Sequence, residues 1–218
     1  MKTNDIITLI INNIEGGYYH PDMKPLLKGG EKMLDSGESM YGLDRKHGGS
    51  DITNSDAGKA FWALIDANYS DKHNNIKYYG DKADGKKISA EVGRKLKDYV
   101  NTIITNRLIK YSSFLSNGAK KIVFSNPALL MQFLYACWNG AGNFHTFANV
   151  VNAAYSNGIK SADALFNLIN DARRKKGGLF VTQAEKLDRL KSELSGGKFG
   201  IGIALIAAGV ISYFIFKK

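Results

Sequence analysis

A chain of 218 residues and 24.0 kDa is sized for one ordinary domain with an appendage, and its 44% hydrophobic content supplies a real core, which excludes a wholly disordered protein. A single cysteine, Cys137, excludes an internal disulfide and a cysteine-cluster metal site, and His20, His47, His73 and His145 form no i,i+4 pair, which excludes a helical zinc motif. With 30 basic against 20 acidic residues the net charge is +10 and the pI about 9.5, a surface that favours a polyanion such as nucleic acid, anionic lipid or bacterial cell wall.

In chain order, Ile6, Ile7, Leu9, Ile10, Ile11 and Ile14 suit a helix buried over much of its surface. Thr3, Asn4 or Asp5 can cap it, and Gly16-Gly17 would stop it. Asp5, Asn12 and Asn13 interrupt the apolar run and no small-residue cleavage site follows, so a secretory signal is not expected. Residues 16–54, rich in Gly, Pro, Asp and Ser, predict loops and one short β-hairpin. Asn54-Ser55 then caps a helix with Phe61, Leu64 and Ile65 inward, and residues 71–87 read as a polar connection. From Ser89 to about Ser116, Val92, Leu96, Val100, Ile103, Ile104 and Leu108 line one side of a long helix.

Asn126-Pro127 opens a strongly apolar helix that Asn139-Gly140 stops. Asn143 starts the next, through Val150 and Val151, closed by Asn157-Gly158. Ser161 caps another that ends in Arg173-Arg174-Lys175-Lys176, cations that suit the negative end of a helix dipole. Thr182-Gln183-Ala184-Glu185 reads as a capping box for a last helix to about Leu194. Residues 195–198 form a short link, and Phe199 to Phe216 carry no charge, Asn or Gln. At ~1.5 Å per residue that run makes a helix just long enough to cross a hydrocarbon core. Lys198 and Lys217-Lys218 flank it, so a single-pass C-terminal membrane anchor is expected.

Glu15 stands at the end of the first helix, before two glycines. The helix dipole and apolar neighbours both disfavour its charged form, which suits a general acid that protonates a leaving oxygen. The glycines leave room for a sugar to approach. The second constellation runs from Asp35 through Glu38 and Ser39 to Tyr41, Asp44 and Arg45. Ser39 to Leu43 suit a short hairpin strand, and a carboxylate there can face Glu15 to stabilise an oxocarbenium-like centre or activate water. The bland alternative makes Asp44 and Arg45 a surface ion pair and Asp35 a turn residue.

Glu15-Gly16-Gly17-Tyr18-Tyr19, followed by Ser36-Gly37-Glu38-Ser39-Met40-Tyr41-Gly42-Leu43-Asp44, resembles phage-type muramidases of the lysozyme superfamily. Those enzymes carry an E-G-G-Y segment at the end of the first helix, then a T-x-x-G-I-like hairpin segment to which Ser39 through Leu43 is similar. The resemblance puts Glu15 in the general-acid position and Ser39 where threonine is usual. Asp35, one position short of the family spacing, and the adjacent Glu38 compete for the second carboxylate. Ala136-Cys137-Trp138-Asn139-Gly140-Ala141-Gly142-Asn143 is similar to the A-Y-N-x-G-x-G turn of lytic transglycosylases and goose-type lysozymes, which makes Trp138 and Asn139, with Tyr18 and Tyr41, candidates for sugar contacts. Alternatively Trp138 is core and Asn139-Gly140 only a helix stop. The long loop between Glu15 and Ser39, with Pro21, Pro25 and Gly29-Gly30, departs from the pattern, and Ser39 lacks the methyl that limits rotation of threonine.

The expected architecture is therefore mainly α: a lysozyme-like helical domain over 1–194 with a small hairpin lobe, and a transmembrane helix over 199–216. The resemblance implies an enzyme, without cofactor or metal, that cleaves the β-1,4 bond between N-acetylmuramic acid and N-acetylglucosamine in peptidoglycan. An anchor without a signal peptide suggests a bacteriophage virion membrane as its location. The competing expectation is a non-catalytic, membrane-anchored protein that binds glycan or nucleic acid. Nucleic acid is the disfavoured partner, since basic residues are dispersed and no groove-reading motif appears.

Overall fold

The computed structural model describes residues 2–15, 38–46, 48–68 and 90–195. These are mainly helical and divide into two compact units, Met1–Ile14 with Thr105–Lys218, and Glu15–Ile104.

The first unit is built on the central helix α6 (Pro127–Trp138), in which every residue from Leu129 to Trp138 is buried. A helix apolar on all sides has no face for solvent and must be surrounded. It packs against α1 (Thr3–Asn13), α5 (Asn117–Ser125), α7 (Gly140–Ser156), α8 (Ala162–Lys175) and α9 (Leu179–Ser195). Its start is as predicted: the Asn126 side chain accepts from the Leu129 N–H at 3.0 Å, and Pro127 leads the helix, where no N–H partner is needed. Helix α1 buries Ile6, Ile7, Ile10 and Ile11 along one face. Its start differs from the prediction. Lys2 is the cap position, and Asp5 reaches back from the first turn to accept the Lys2 N–H at 2.7 Å. At its other end the Lys186 ammonium donates to the Ile14 carbonyl at 3.3 Å, satisfying an acceptor the helix leaves open. The predicted stop at Gly16-Gly17 lies outside the described residues.

Two helix starts are earlier than predicted, and backbone freedom explains both. Helix α7 begins at Gly140 because that residue, at φ +81°, turns the chain directly out of α6. Asn143, the predicted start, instead donates to the Asn139 carbonyl at 3.0 Å. Helix α9 begins at Leu179, because Gly177 and Gly178, at φ +72° and +56°, return the chain from α8. Thr182 to Glu185 therefore lie inside the helix, and Ser195 ends it where a link was expected. Helix α5 was not predicted; Ser116 caps it by accepting from Ala119 at 3.4 Å. Ser161 caps α8 as expected.

Arg173 stands in the last turn of α8, where a cation suits the helix dipole as expected, and it is also buried, 0% exposed. Its guanidinium lies 4.4 Å from the centre of the Phe147 ring and 5.3 Å from that of Tyr135. It donates to the side-chain carbonyl oxygens of Gln132 at 2.9 Å and Gln183 at 3.4 Å, while Nε has no hydrogen-bond partner. Gln132 donates in turn to Asn170 at 2.6 Å, and Asn170 to Asp188 at 2.7 Å, so this polar chain links α6, α8 and α9. Desolvation lowers the Arg173 pKa to about 10, opposed by the nearby Tyr135.

The second unit contains the strands β1 (Ser39–Met40) and β2 (Leu43–Asp44), the short helix α2 (Ser50–Thr53), α3 (Asp56–Asn68), and residues 90–104 of α4 (Ala90–Tyr111). Residues 105–111 of α4 belong to the first unit, where the helix tightens into a single 3-10 turn, Ser112–Phe114. Ser55 caps α3 by accepting from Gly58 at 3.0 Å, and Phe61 and Ile65 face inward as predicted while Leu64 is half-buried. Helix α2 was expected as loop; its Ile52 is buried and offers its carbonyl to the Trp62 indole N–H at 3.1 Å. Among the described residues no helix is long and apolar enough to cross a membrane. The expected span, 199–216, lies outside them.

Candidate functional site

Residues 38–45 form a complete hairpin rather than the single strand expected over Ser39 to Leu43. Strands β1 and β2 pair antiparallel, Ser39 opposite Asp44 and Met40 opposite Leu43. Tyr41 and Gly42 make the turn at φ +50° and +70°, positive values that two-residue hairpin turns of the primed type require. Met40 and Leu43 are buried, so the alternation of side chains puts Ser39 and Asp44 on the opposite face. Ser39 is half-buried there. Tyr41, a candidate sugar contact, is 2% exposed, and the Lys97 ammonium stands 5.8 Å from its ring centre.

Glu15 lies against this turn. A methyl group built on Gly42 would fall 2.0 Å from Glu15 Oε2 and 2.5 Å from its Cδ. The carboxylate thus occupies the space a side chain at position 42 would need, and the turn forms a wall beside it. Only glycine satisfies both demands at this position, the left-handed backbone and the absent Cβ. Glu15 is half-buried, with room for solvent or ligand on part of its surface.

Arg45, immediately after β2, holds the base of the hairpin. Its N–H donates to the Glu38 carbonyl at 2.9 Å, and its Nη1 to Glu38 Oε2 at 2.8 Å. The same guanidinium reaches both carboxylate oxygens of Asp66 on α3, at 2.8 and 2.7 Å, and lies 5.2 Å from the centre of the Trp62 ring. The Asp66 bonds foremost, then Glu38, raise the Arg45 pKa above its ordinary value, against a pull from partial desolvation. The expected Asp44–Arg45 pair is not formed; Asp44 accepts the Lys46 N–H at 2.8 Å instead. A carboxylate one residue from Arg45 is poorly placed for a forked contact, whereas the exposed Asp66 on α3 meets both arms of the guanidinium.

The candidates fall into three groups. Glu15, Glu38, Ser39 and Tyr41 all belong to the second unit, where Glu15 lies against the turn made by Tyr41 and Gly42 and Glu38 stands at the other end of the hairpin with Arg45. Trp138 and Asn139 belong to the first, where Trp138 is 8% exposed and packs 6.3 Å from Tyr135, ring centre to ring centre. The Asn139 amide donates to the Tyr135 carbonyl at 3.3 Å. Asp35 and Tyr18 lie outside the described residues. Sequence reasoning did not single out Gly42, Trp62 or Asp66. Gly42 was within the recognised segment; Asp66 is 21 residues from Arg45 and carried no signal. Among the described residues no group of three or more His, Cys, Asp or Glu is placed to hold a metal ion. No family model, curated protein or solved structure matches this chain.

Proposed function

We propose that this protein is a peptidoglycan glycosidase of lysozyme-like fold, acting on the bond between N-acetylmuramic acid and N-acetylglucosamine. The observation that carries this reading is the packing of the Glu15 carboxylate against Gly42 at the turn of the hairpin. A carboxyl group at a helix end, walled on one side and partly open, suits proton delivery to a leaving oxygen. Glu15 gives its proton to the glycosidic oxygen as the bond from the anomeric carbon breaks, and the electron pair stays with that oxygen. The resulting oxocarbenium-like centre is taken by water, which gives its proton to Asp35, or by the 6-hydroxyl of the muramoyl residue, which gives its proton to the Glu15 carboxylate left by the first step.

The Glu38 carboxylate is engaged by Arg45, which favours routes that do not use Glu38 as a base. Those are attack by water assisted by Asp35 and positioned by Ser39, or the intramolecular attack that needs one essential carboxylate. Location follows the same reading: residues 199–216 anchor the protein in a bilayer, that of a bacteriophage virion. The burial of Tyr41 and Trp138 counts against sugar contact by either ring, and the competing reading is an anchored protein that binds glycan through other residues without turnover.

One experiment separates the two. Full-length protein in mild detergent is incubated with purified peptidoglycan, beside Glu15→Gln, and the soluble products are analysed by mass spectrometry. We expect muropeptides from the wild type, and a rate lower by ~10²–10⁴-fold in the variant. Reducing ends would mean hydrolysis, and anhydro ends transglycosylation. Binding with no release from several wall types would establish the second reading.

A further inference from the structure

We infer that Arg45 is the positioning residue of this site: by joining both ends of the hairpin to α3, it fixes where Gly42 stands beside the Glu15 carboxylate. The inference rests on the glycosidase reading for its effect on rate, though not for its effect on geometry. A hairpin with two residues in each strand has too few ladder bonds to hold its own position. Arg45 extends it by one rung, through its N–H on the Glu38 carbonyl at 2.9 Å. Its side chain then clamps the same two residues a second time, Nη1 to Glu38 Oε2 at 2.8 Å.

The clamp is tied to a rigid element. Both oxygens of Asp66 receive the guanidinium fork, a geometry that fixes direction as well as distance. The guanidinium carbon lies 5.2 Å from the centre of the Trp62 ring, whose indole N–H donates to the Ile52 carbonyl and which is set edge-on to Phe61 at 5.0 Å. From this base, Gly42 is at the far end of the hairpin, where the Glu15 carboxylate fills the space that a Cβ on residue 42 would take. A small tilt at Arg45 becomes a displacement of the wall beside Glu15. An isolated exposed ion pair would have little influence. Here three charge-assisted bonds and a cation–ring contact converge on one side chain. Lysine cannot reproduce that set, because it lacks the planar fork.

The test uses the full-length protein in detergent, with Arg45→Ala, Arg45→Lys and Asp66→Asn, and Lys59→Ala on exposed α3 surface as control. The Glu15 carboxyl carbon is followed by ¹³C NMR at fixed pH, and kcat and KM are measured on soluble glycan fragments. We expect the Glu15 signal to move in Arg45→Ala and Asp66→Asn but not in the control. We expect kcat to fall by ~10–100-fold with KM within about twofold, and Arg45→Lys to recover only part of the loss. A folded Asp66→Asn variant with an unmoved Glu15 signal and unchanged kcat overturns the proposal. Should Arg45→Ala fail to fold, Asp66→Asn decides alone, since it alters one exposed partner. If the wild type cleaves nothing, the glycosidase reading falls, and the NMR signal by itself decides whether Arg45 positions Glu15.

Discussion

Gly42 carries two requirements that single-residue changes can pull apart. Its φ of +70° disfavours any other residue by roughly 1–2 kcal/mol, a cost the fold would survive. The second requirement is spatial, because the Cβ of alanine would overlap the Glu15 carboxylate, which must then move. Gly42→Ala should therefore remain folded, with a modestly lower denaturation midpoint, while muropeptide release drops by ~100-fold, as displacements of about an ångström do. Activity within a few-fold of wild type would mean that the wall beside Glu15 has no part in the chemistry. At this scale Glu15 was legible because the helix end and the two glycines are local features. The salt-bridge partner of Arg45 was not, since nothing nearer than 21 residues announces Asp66.

Among the elements, α6 was the most legible: its apolar run, its Asn126 cap and its Asn139-Gly140 end all lie within the span of the helix itself. Helices α7 and α9 began early for a reason the pattern of side chains conceals, namely glycines in left-handed conformation that leave no loop to be read. The basic run ends α8 as its sequence implies, but the burial of its first member could not be read there. Helix dipole and burial both accept an arginine at that place, and only packing against Phe147 and Tyr135 shows the second. Arg173→Ala removes a buried group and leaves the Gln132 and Gln183 oxygens without their donor, so it should lower stability by ~3 kcal/mol in chemical denaturation. The sign of its pH dependence is fixed by the depressed pKa. Burying the charge costs stability in full below about pH 10, and that cost is relieved only as pH rises from there toward the ordinary arginine value of the unfolded chain. The gap between wild type and variant should thus stay constant from about pH 5 to 9, where Arg173 is charged in both states. A gap that changes across that window would mean another group titrates with it.

For the whole molecule, the net charge of +10 acts at long range and without regard to fold. Retention of the full-length protein on anionic cell walls should weaken several-fold between about 50 and 300 mM salt, as the screening length shortens, and walls stripped of anionic polymer should show little of this dependence. A salt-independent retention would place the affinity in contacts with the glycan instead. The two units also differ in how they draw on the chain: Glu15–Ile104 is one segment, whereas in the other α1 packs on α6, from the far side of that segment in sequence. Lys186 reaches the Ile14 carbonyl across 172 residues, next to the carboxylate on which the proposed chemistry depends. During synthesis, at roughly 5–20 residues per second, the first helix emerges and waits on the order of ten to thirty seconds for α9 to supply that contact. Through that interval α1 carries four isoleucines with α6 not yet made to cover them, an apolar face left in water until the rest of its unit is synthesised.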